Sequence, residues 1–312
     1  MLTRQLLPST IGTSGASHVP ATEYMTGRVH WTHYTPPQSR ADATKTLVLV
    51  HGAGHNELVW TFGQYNLVGL FTELGHDVIT VSLSGHRPSG GHVTIQTLRH
   101  YEKDAYLPVE VLGLDDQNVV FIGHSMGGIV SQGVLARHPR IAGVVIVDCV
   151  ATHHALDTYM PVMQRLFRRH PRAALKAMIS PAAMFGSDSL VRELLLGDDA
   201  SDALVAELRP HLGGETATAM LEMLAAKLRG RQPLGGQKLL FLSARQSAFY
   251  PSAVVEASAR EYGARCECLD GPHNLMMREG SAKLAAQIIA AWIARLPTLP
   301  PEARAVRGGD VW

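Results

Sequence analysis

Short apolar runs recur along this chain, each followed by a segment with helical spacing, and this rhythm constrains the fold more than any other feature. The runs are "TLVLV" (46–50), "DVITVSL" (77–83), 118–123, 143–149 and "KLLFLS" (238–243), with "RCECL" (265–269) closing the series. Most lack the polar alternate positions of a half-exposed strand, which is the pattern of strands covered on both faces of a parallel sheet. Between them, 59–75, 94–114, 126–138, 251–262 and 281–296 read as helices, with Pro108 predicting a kink in the second. "RVHWTHYT" (28–35) alternates as an early strand. Strands alternating with helices predict an α/β fold with a mostly parallel central sheet flanked by helices.

One stretch breaks the rhythm. Residues 151–237 show no strand pattern but several helical ones, with Met160, Met163, Met178, Met184, Met220 and Met223 scattered through them. They read as a helical cap inserted over the carboxyl edge of the sheet. Core filling is the ordinary role for such methionines, and some can line an adaptable apolar pocket. The core then consists of 28–150 and 238–296, preceded by a Ser-, Thr-, Gly- and Pro-rich surface arm (1–27) and followed by an irregular tail (297–312). A chain of 312 residues suits one core with an insertion.

The formal net charge is +1 with no long block of either sign, so nothing points to nucleic acid or an anionic membrane surface. No apolar run approaches the roughly 20 residues that span a bilayer, and the N-terminal apolar stretch is too short and interrupted for a signal peptide. A cytoplasmic location is the expectation. Cys149, Cys266 and Cys268 do not make a disulfide framework and read as small packed residues. No His/Cys/Asp/Glu cluster has metal-ligand spacing and no glycine-rich loop resembles a phosphate cradle, so neither metal nor cofactor is expected.

Three motifs carry chemistry, all just beyond strand ends. Gly123-x-Ser125-x-Gly127 lies between a buried strand and a helix, where a sharp turn lifts the serine hydroxyl clear of the sheet. "HGAGHNELVW" (51–60) follows the strand 46–50, and the backbone N–H of Ala53, with that of Met126, can hold the oxyanion of a tetrahedral intermediate. His51 reads as a loop-orienting residue. "GPHNLMMREG" (271–280) places His273 at the same edge, where a base can take the Ser125 proton and return it to a leaving group.

With these motifs in this order the sequence resembles the α/β-hydrolase superfamily over residues 28–296. "HGAGHNELVW" also looks like the opening motif of plant-type methyl-ester esterases and hydroxynitrile lyases, including His55 and Trp60. The resemblance implies that Gly54, His55 and Trp60 border the substrate. Lyases of that group carry a lysine immediately after the catalytic histidine; Asn274 stands there instead and argues against lyase chemistry.

The family's usual acid position, after the strand that follows the cap, reads "LLFLSARQSAFYP" and holds no Asp or Glu, with Gln246 where the acid is expected. Asp148, ending the strand 143–149, is the best replacement. The pattern looks like that of zearalenone-type lactone hydrolases and cofactor-free quinolone dioxygenases, which carry the acid on this neighbouring strand. Asp270, three residues before His273, is the other candidate. His86, in the loop after 77–83, reads as structural.

The expected function is a serine hydrolase cleaving an ester or lactone of a mid-sized apolar substrate through an acyl-enzyme. A cofactor-free dioxygenase or C–C hydrolase on the same fold, or a hydrolase-like ligand receptor, stands as the alternative. The oligomeric state is open between monomer and homodimer.

Overall fold

The structure, a computed structural model, describes residues 3–5, 9–11, 19–37, 45–63, 65–179, 181–229 and 234–297. Its strands are β1 (Thr3–Gln5), β2 (Ser9–Ile11), β3 (Val19–Thr26), β4 (Val29–Tyr34), β5 (Thr46–Val50), β6 (Asp77–Ser82), β7 (Val119–His124), β8 (Gly143–Val147), β9 (Leu239–Ala244) and β10 (Arg265–Leu269). They form one sheet in the order β1-β3-β4-β6-β5-β7-β8-β9-β10, with β2 also on β3. From β6 to β10 every pairing is parallel. The first four strands join antiparallel at one end.

The apolar runs behave as two-faced strands. Leu47, Leu49, Val120, Ile122, Val145, Val147, Leu240 and Leu242 pack on one face with Phe71, Ile289 and Trp292. The alternate residues Val48, Val50, Val119, Phe121, Val144, Ile146, Leu239 and Phe241 pack on the other with Val130, Val134, Val255 and Ala259. Each such side chain contributes about 1.5–3 kcal/mol by leaving water. Helices Leu67–Glu73 and Glu279–Ile293 therefore cover one face, and Leu98–Val111, Met126–Arg137 and Ser252–Tyr262 the other. All parallel strands end at one edge, which collects the loops after β5, β7, β8, β9 and β10.

Several expectations change in detail. The segment read as an arm ends in β3, whose residues Ala21–Thr26 pair with β4, and Tyr24 stacks on Trp31 with centroids 4.0 Å apart. A tight turn at Gly27, φ 61°, joins the two strands, a hairpin signal that the arm's polar composition hid. The remaining arm residues 1–2, 6–8 and 12–18, and the tail beyond Pro297, lie outside the described residues. The helix expected over 59–75 divides into a single turn, Glu57–Trp60, and the helix Leu67–Glu73. Asn56 and Asn66 each cap a new start, their side-chain oxygens accepting from the N–H of Leu58 and Gly69. The helix Leu98–Val111 runs on through Pro108.

Between β8 and β9 the described residues form helices and no strand, including Ala155–Arg169, Pro171–Ile179, Asp202–Leu208 and Ala217–Arg229. Among the described residues no helix is long and apolar enough to cross a membrane.

Candidate active site

Ser125 occupies the turn between β7 and the helix Met126–Arg137 with φ 53° and ψ −124°. A residue with a side chain adopts this region only when its surroundings compel it. Here its N–H donates to the carbonyl of Val147 (3.0 Å) and its carbonyl accepts from the N–H of Gly128 (2.8 Å). The flanking glycines are required by space. A Cβ on Gly123 would lie 2.1 Å from the Gly127 carbonyl oxygen, and one on Gly127 would lie 2.2 Å from that of Val50. Glycine at 123 and 127 is thus what lets this strand and helix approach so closely.

Asp148 follows β8 directly, also at positive φ (42°), and is fully buried. Three donors surround its carboxylate. The N–H of Ala244 reaches Oδ1 at 2.9 Å, while the Ser247 hydroxyl (2.6 Å) and His273 Nδ1 (2.5 Å) reach Oδ2. Such a set suits an ionised, acceptor-only carboxylate. With Nδ1 so engaged, His273 presents Nε2 as its free nitrogen, and the residue lines the same cavity as Ser125. Its loop is held from two sides: His124 Nε2 donates to the His273 carbonyl (3.1 Å), and the Asn274 N–H donates to Leu195 of the cap (2.8 Å).

The other acid candidate is turned away. Asp270 is exposed and paired with Arg245 at 2.6 Å. Gln246 is exposed as well and braces the loop, accepting from the N–H of Gly271 at 2.5 Å and donating its own N–H to the Gly271 carbonyl.

The loop after β5 is rigid for a readable reason. His51 donates from Nδ1 to Gly52 (2.9 Å) and accepts at Nε2 from the N–H of Leu83 (3.0 Å). His55 donates from Nδ1 to Ala53 (2.9 Å) and accepts at Nε2 from the Asn274 amide (3.1 Å). Burial lowers the His55 pKa to about 4, so its imidazole is neutral and serves as a strut between two loops. Asn274 is thereby committed to His55. Gly54 takes φ 69°, and a Cβ there would meet the Phe185 ring at 2.7 Å.

Ala53, Gly54, His55, Ser125, Met126 and His273 all line one cavity of about 70 Å³ under the cap. Trp60 is the exception and corrects the expectation that it touches substrate. It is fully buried, edge-on to His124 with centroids 6.4 Å apart, and is not among the lining residues. Of the cap methionines, Met184, Met220 and Met223 line the cavity, Met163 packs in the core and Met160 is exposed. The side chain of Met178 lies outside the described residues.

Sequence reading missed Ser247, Tyr250 and Glu215. The segment "ARQSAFYP" offers no carboxylate but carries the Ser247 and Tyr250 hydroxyls just after β9 at the carboxyl edge. Tyr250 is buried against Ser125 and Cys149. Burial pushes its phenol well above the usual value and Cys149 adds to the rise, while the hydrogen bond with Ser125 opposes it. Burial likewise pushes the Cys149 thiol up to about 12. The rings of Phe249 and Tyr250 flank His273 at 4.6 and 5.7 Å.

One group among the described residues has ligand-like geometry that spacing could not show. At the root of the cap, His153 and His154 approach Glu261 from a distant helix, with Nε2 atoms 2.8 and 2.9 Å from its two oxygens. The carboxylate already engages Nε2 of both rings, and the group is apart from the Ser125 cavity.

A serine on a strained strand-to-helix turn, a carboxylate-held histidine and a glycine-rich loop on one sheet edge define a hydrolase-type site on an α/β scaffold. The chain belongs to the alpha/beta hydrolase family, whose model matches residues 47–287. It is similar to Methylesterase 7 of Arabidopsis thaliana, 35% identical over 108 residues that cover 33% of this chain and 39% of that protein. It is also similar to the carbendazim hydrolyzing esterase of Nocardioides sp. (strain SG-4G), 32% identical over 123 residues, 38% of this chain and 47% of the relative. The chain thus spans less than half the length of either relative. Among solved structures, a thermophilic esterase from Thermogutta terrifontis superposes with a TM-score of 0.59 at 18% identity, covering 95% of this chain and all of the other.

Proposed function

We propose that this chain is a serine hydrolase that cleaves a carboxylic ester or lactone of a mid-sized apolar substrate. The observation that carries the reading is the 2.5 Å contact between Asp148 Oδ2 and His273 Nδ1, with His273 lining the cavity that Ser125 also lines. The methylesterase and esterase relatives support the same reaction class.

In this mechanism Ser125 Oγ attacks the scissile carbonyl carbon while His273 Nε2 takes its proton. Asp148 fixes the ring's tautomer and stabilises the imidazolium. The N–H groups of Ala53 and Met126 hold the oxyanion, a contribution of about 3–4 kcal/mol when one such donor is removed in comparable sites. Collapse breaks the ester C–O bond, and His273 delivers the proton to the departing oxygen. Water then attacks the acyl-enzyme with His273 again as base, releasing the acid and restoring Ser125. No cofactor enters the cycle.

The test is a panel of p-nitrophenyl esters and lactones run beside fluorophosphonate labelling. Turnover with stoichiometric labelling of Ser125, both lost in Ser125→Ala, is the expected result. Tight binding of an apolar ligand without labelling would favour a receptor, and oxygen uptake without added cofactor would favour a dioxygenase.

A further inference from the structure

The cavity beside Ser125 is apolar over most of its wall, with Met184, Phe185, Met220 and Met223 contributed by the cap. Against that wall one lining residue stands out. Glu215 is a carboxylate, its side chain 2% exposed, and the proposed hydrolytic steps do not use it. Taking a charge out of water into such surroundings is unfavourable unless donors compensate it.

The donors can be counted. Oε1 accepts from the Tyr101 hydroxyl at 2.7 Å and from the N–H of Thr216 at 2.8 Å. Oε2 accepts from His86 Nε2 at 3.1 Å. A carboxylate offers about four lone-pair positions, so Oε2 retains one acceptor position. Glu215 also has a defined place relative to the reacting centre. Two residues earlier, the Gly213 N–H donates to the Gly54 carbonyl at 2.7 Å, seating this segment of the cap on the loop that carries Ala53.

Resting on the hydrolase reading above, we propose that Glu215 recognises a hydroxyl on the substrate. The substrates are then esters or lactones of apolar compounds that carry an alcohol or phenol donor remote from the scissile carbonyl. His86, Tyr101 and the Thr216 N–H share the carboxylate as donors, so the loss of one leaves two to hold it. A site built to accept one hydrogen bond discriminates against the analogue lacking the donor, because the acceptor is then left unpaired in a dry pocket.

The experiment uses methyl esters of ω-(4-hydroxyphenyl)alkanoic acids of increasing chain length, each paired with its phenyl counterpart, which lacks the donor and is no larger. At the chain length that fits, kcat/KM should favour the hydroxyl-bearing ester by roughly ten- to a hundredfold. Glu215→Gln, checked for folding by circular dichroism, should lose most of that preference, the hydroxyl-bearing ester falling by more than its phenyl counterpart. Tyr101→Phe, which leaves the carboxylate in place, should keep it.

Equal rates for both members of every pair in the wild type would overturn the proposal. So would a Glu215→Gln loss that falls equally on both esters, since that is the signature of a cap latch. If Glu215→Gln does not fold, Glu215→Ala replaces it with the same two readings: selective loss on the hydroxyl-bearing ester supports recognition and an equal loss on both esters overturns it. If no ester turns over, slowing of fluorophosphonate labelling replaces kcat/KM as the readout, and the hydroxyl-bearing ester must protect more. Failure of Ser125 to label at all would instead strike the hydrolase reading. A wild-type thermal shift with the hydroxyl ester, absent in Glu215→Gln, would then still support the binding site, and equal shifts in both would sink it.

Discussion

Asp148 and His273 lie 125 residues apart in the chain and meet at 2.5 Å, Oδ2 to Nδ1, in a fully buried contact. Asp270, only three residues before His273, pairs outward with Arg245 instead. Asp148→Asn should therefore lower kcat by about four orders of magnitude, as loss of a triad carboxylate does elsewhere. Asp270→Asn should stay within about threefold, as an exposed ion pair contributes little. Steady-state kinetics on a p-nitrophenyl ester checks both, and the reverse ranking would reassign the acid.

Ser247 is the second donor on the same carboxylate oxygen, at 2.6 Å, and its hydroxyl also accepts from the N–H groups of Phe249 and Tyr250. Hydrogen bonds to charged groups contribute about 1.5–3 kcal/mol. Ser247→Ala should lower kcat by about ten- to a hundredfold with little change in KM, because the side chain orients the acid and does not touch substrate. A loss confined to KM would contradict that role.

The turn around Ser125 tolerates no added atom. With a Cβ on Gly127 placed 2.2 Å from the Val50 carbonyl oxygen, Gly127→Ala must push the helix Met126–Arg137 off the sheet. Overpacking of this kind costs about 1–3 kcal/mol or more. The variant should show a lower melting temperature together with lost Ser125 labelling. Gly280→Ala, where nothing lies within 4 Å, is the control that should leave both unchanged.

What the sequence made legible follows from where each residue sits. Ser125 and Asp148 could be placed at one edge because each stands immediately beyond a buried strand, and His273 because its loop follows β10, a parallel strand that ends at the same edge. The choice of Asp148 followed from the missing carboxylate after β9. Ser247, Tyr250 and Glu215 were not legible, because their importance lies in contacts between segments far apart in the chain. Trp60 shows the opposite failure: a motif resemblance placed it at the substrate, whereas its indole is fully enclosed beside His124. β3 was hidden because the arm's composition outweighed the turn at Gly27 that closes its hairpin.

Three buried imidazoles lose stabilising weight as the pH falls. Burial lowers the pKa of His55 to about 4 and takes His51 and His124 well below the ordinary value. Unfolded histidine titrates near about 6.5. Between those values the unfolded chain binds protons that these native imidazoles do not, so their contribution to stability falls as pH drops from about 6.5 toward 4, opposed in part by Glu57 and Asp104, whose carboxyls burial holds above the ordinary value. At about 1.4 kcal/mol per pKa unit, His55 alone accounts for about 3 kcal/mol. His30 does not offset this fall: burial opposes its protonation, but Glu57 and Glu23 hold its pKa above the ordinary value. Its contribution is fully present below about 6.5 and fades only as pH rises through the raised value. Denaturant melts across this range should show the decline, and His55→Gln should flatten it. An unchanged slope would contradict the assignment of His55 as a buried neutral strut.

The most direct test is intact-mass and peptide mapping of the chain quenched during turnover of an activated ester. An acyl adduct on the peptide carrying Ser125, absent from Ser125→Ala and formed far more slowly in a variant lacking His273, is the predicted result. Ester cleavage by Ser125→Ala at the wild-type rate, with no adduct on that peptide, would contradict it.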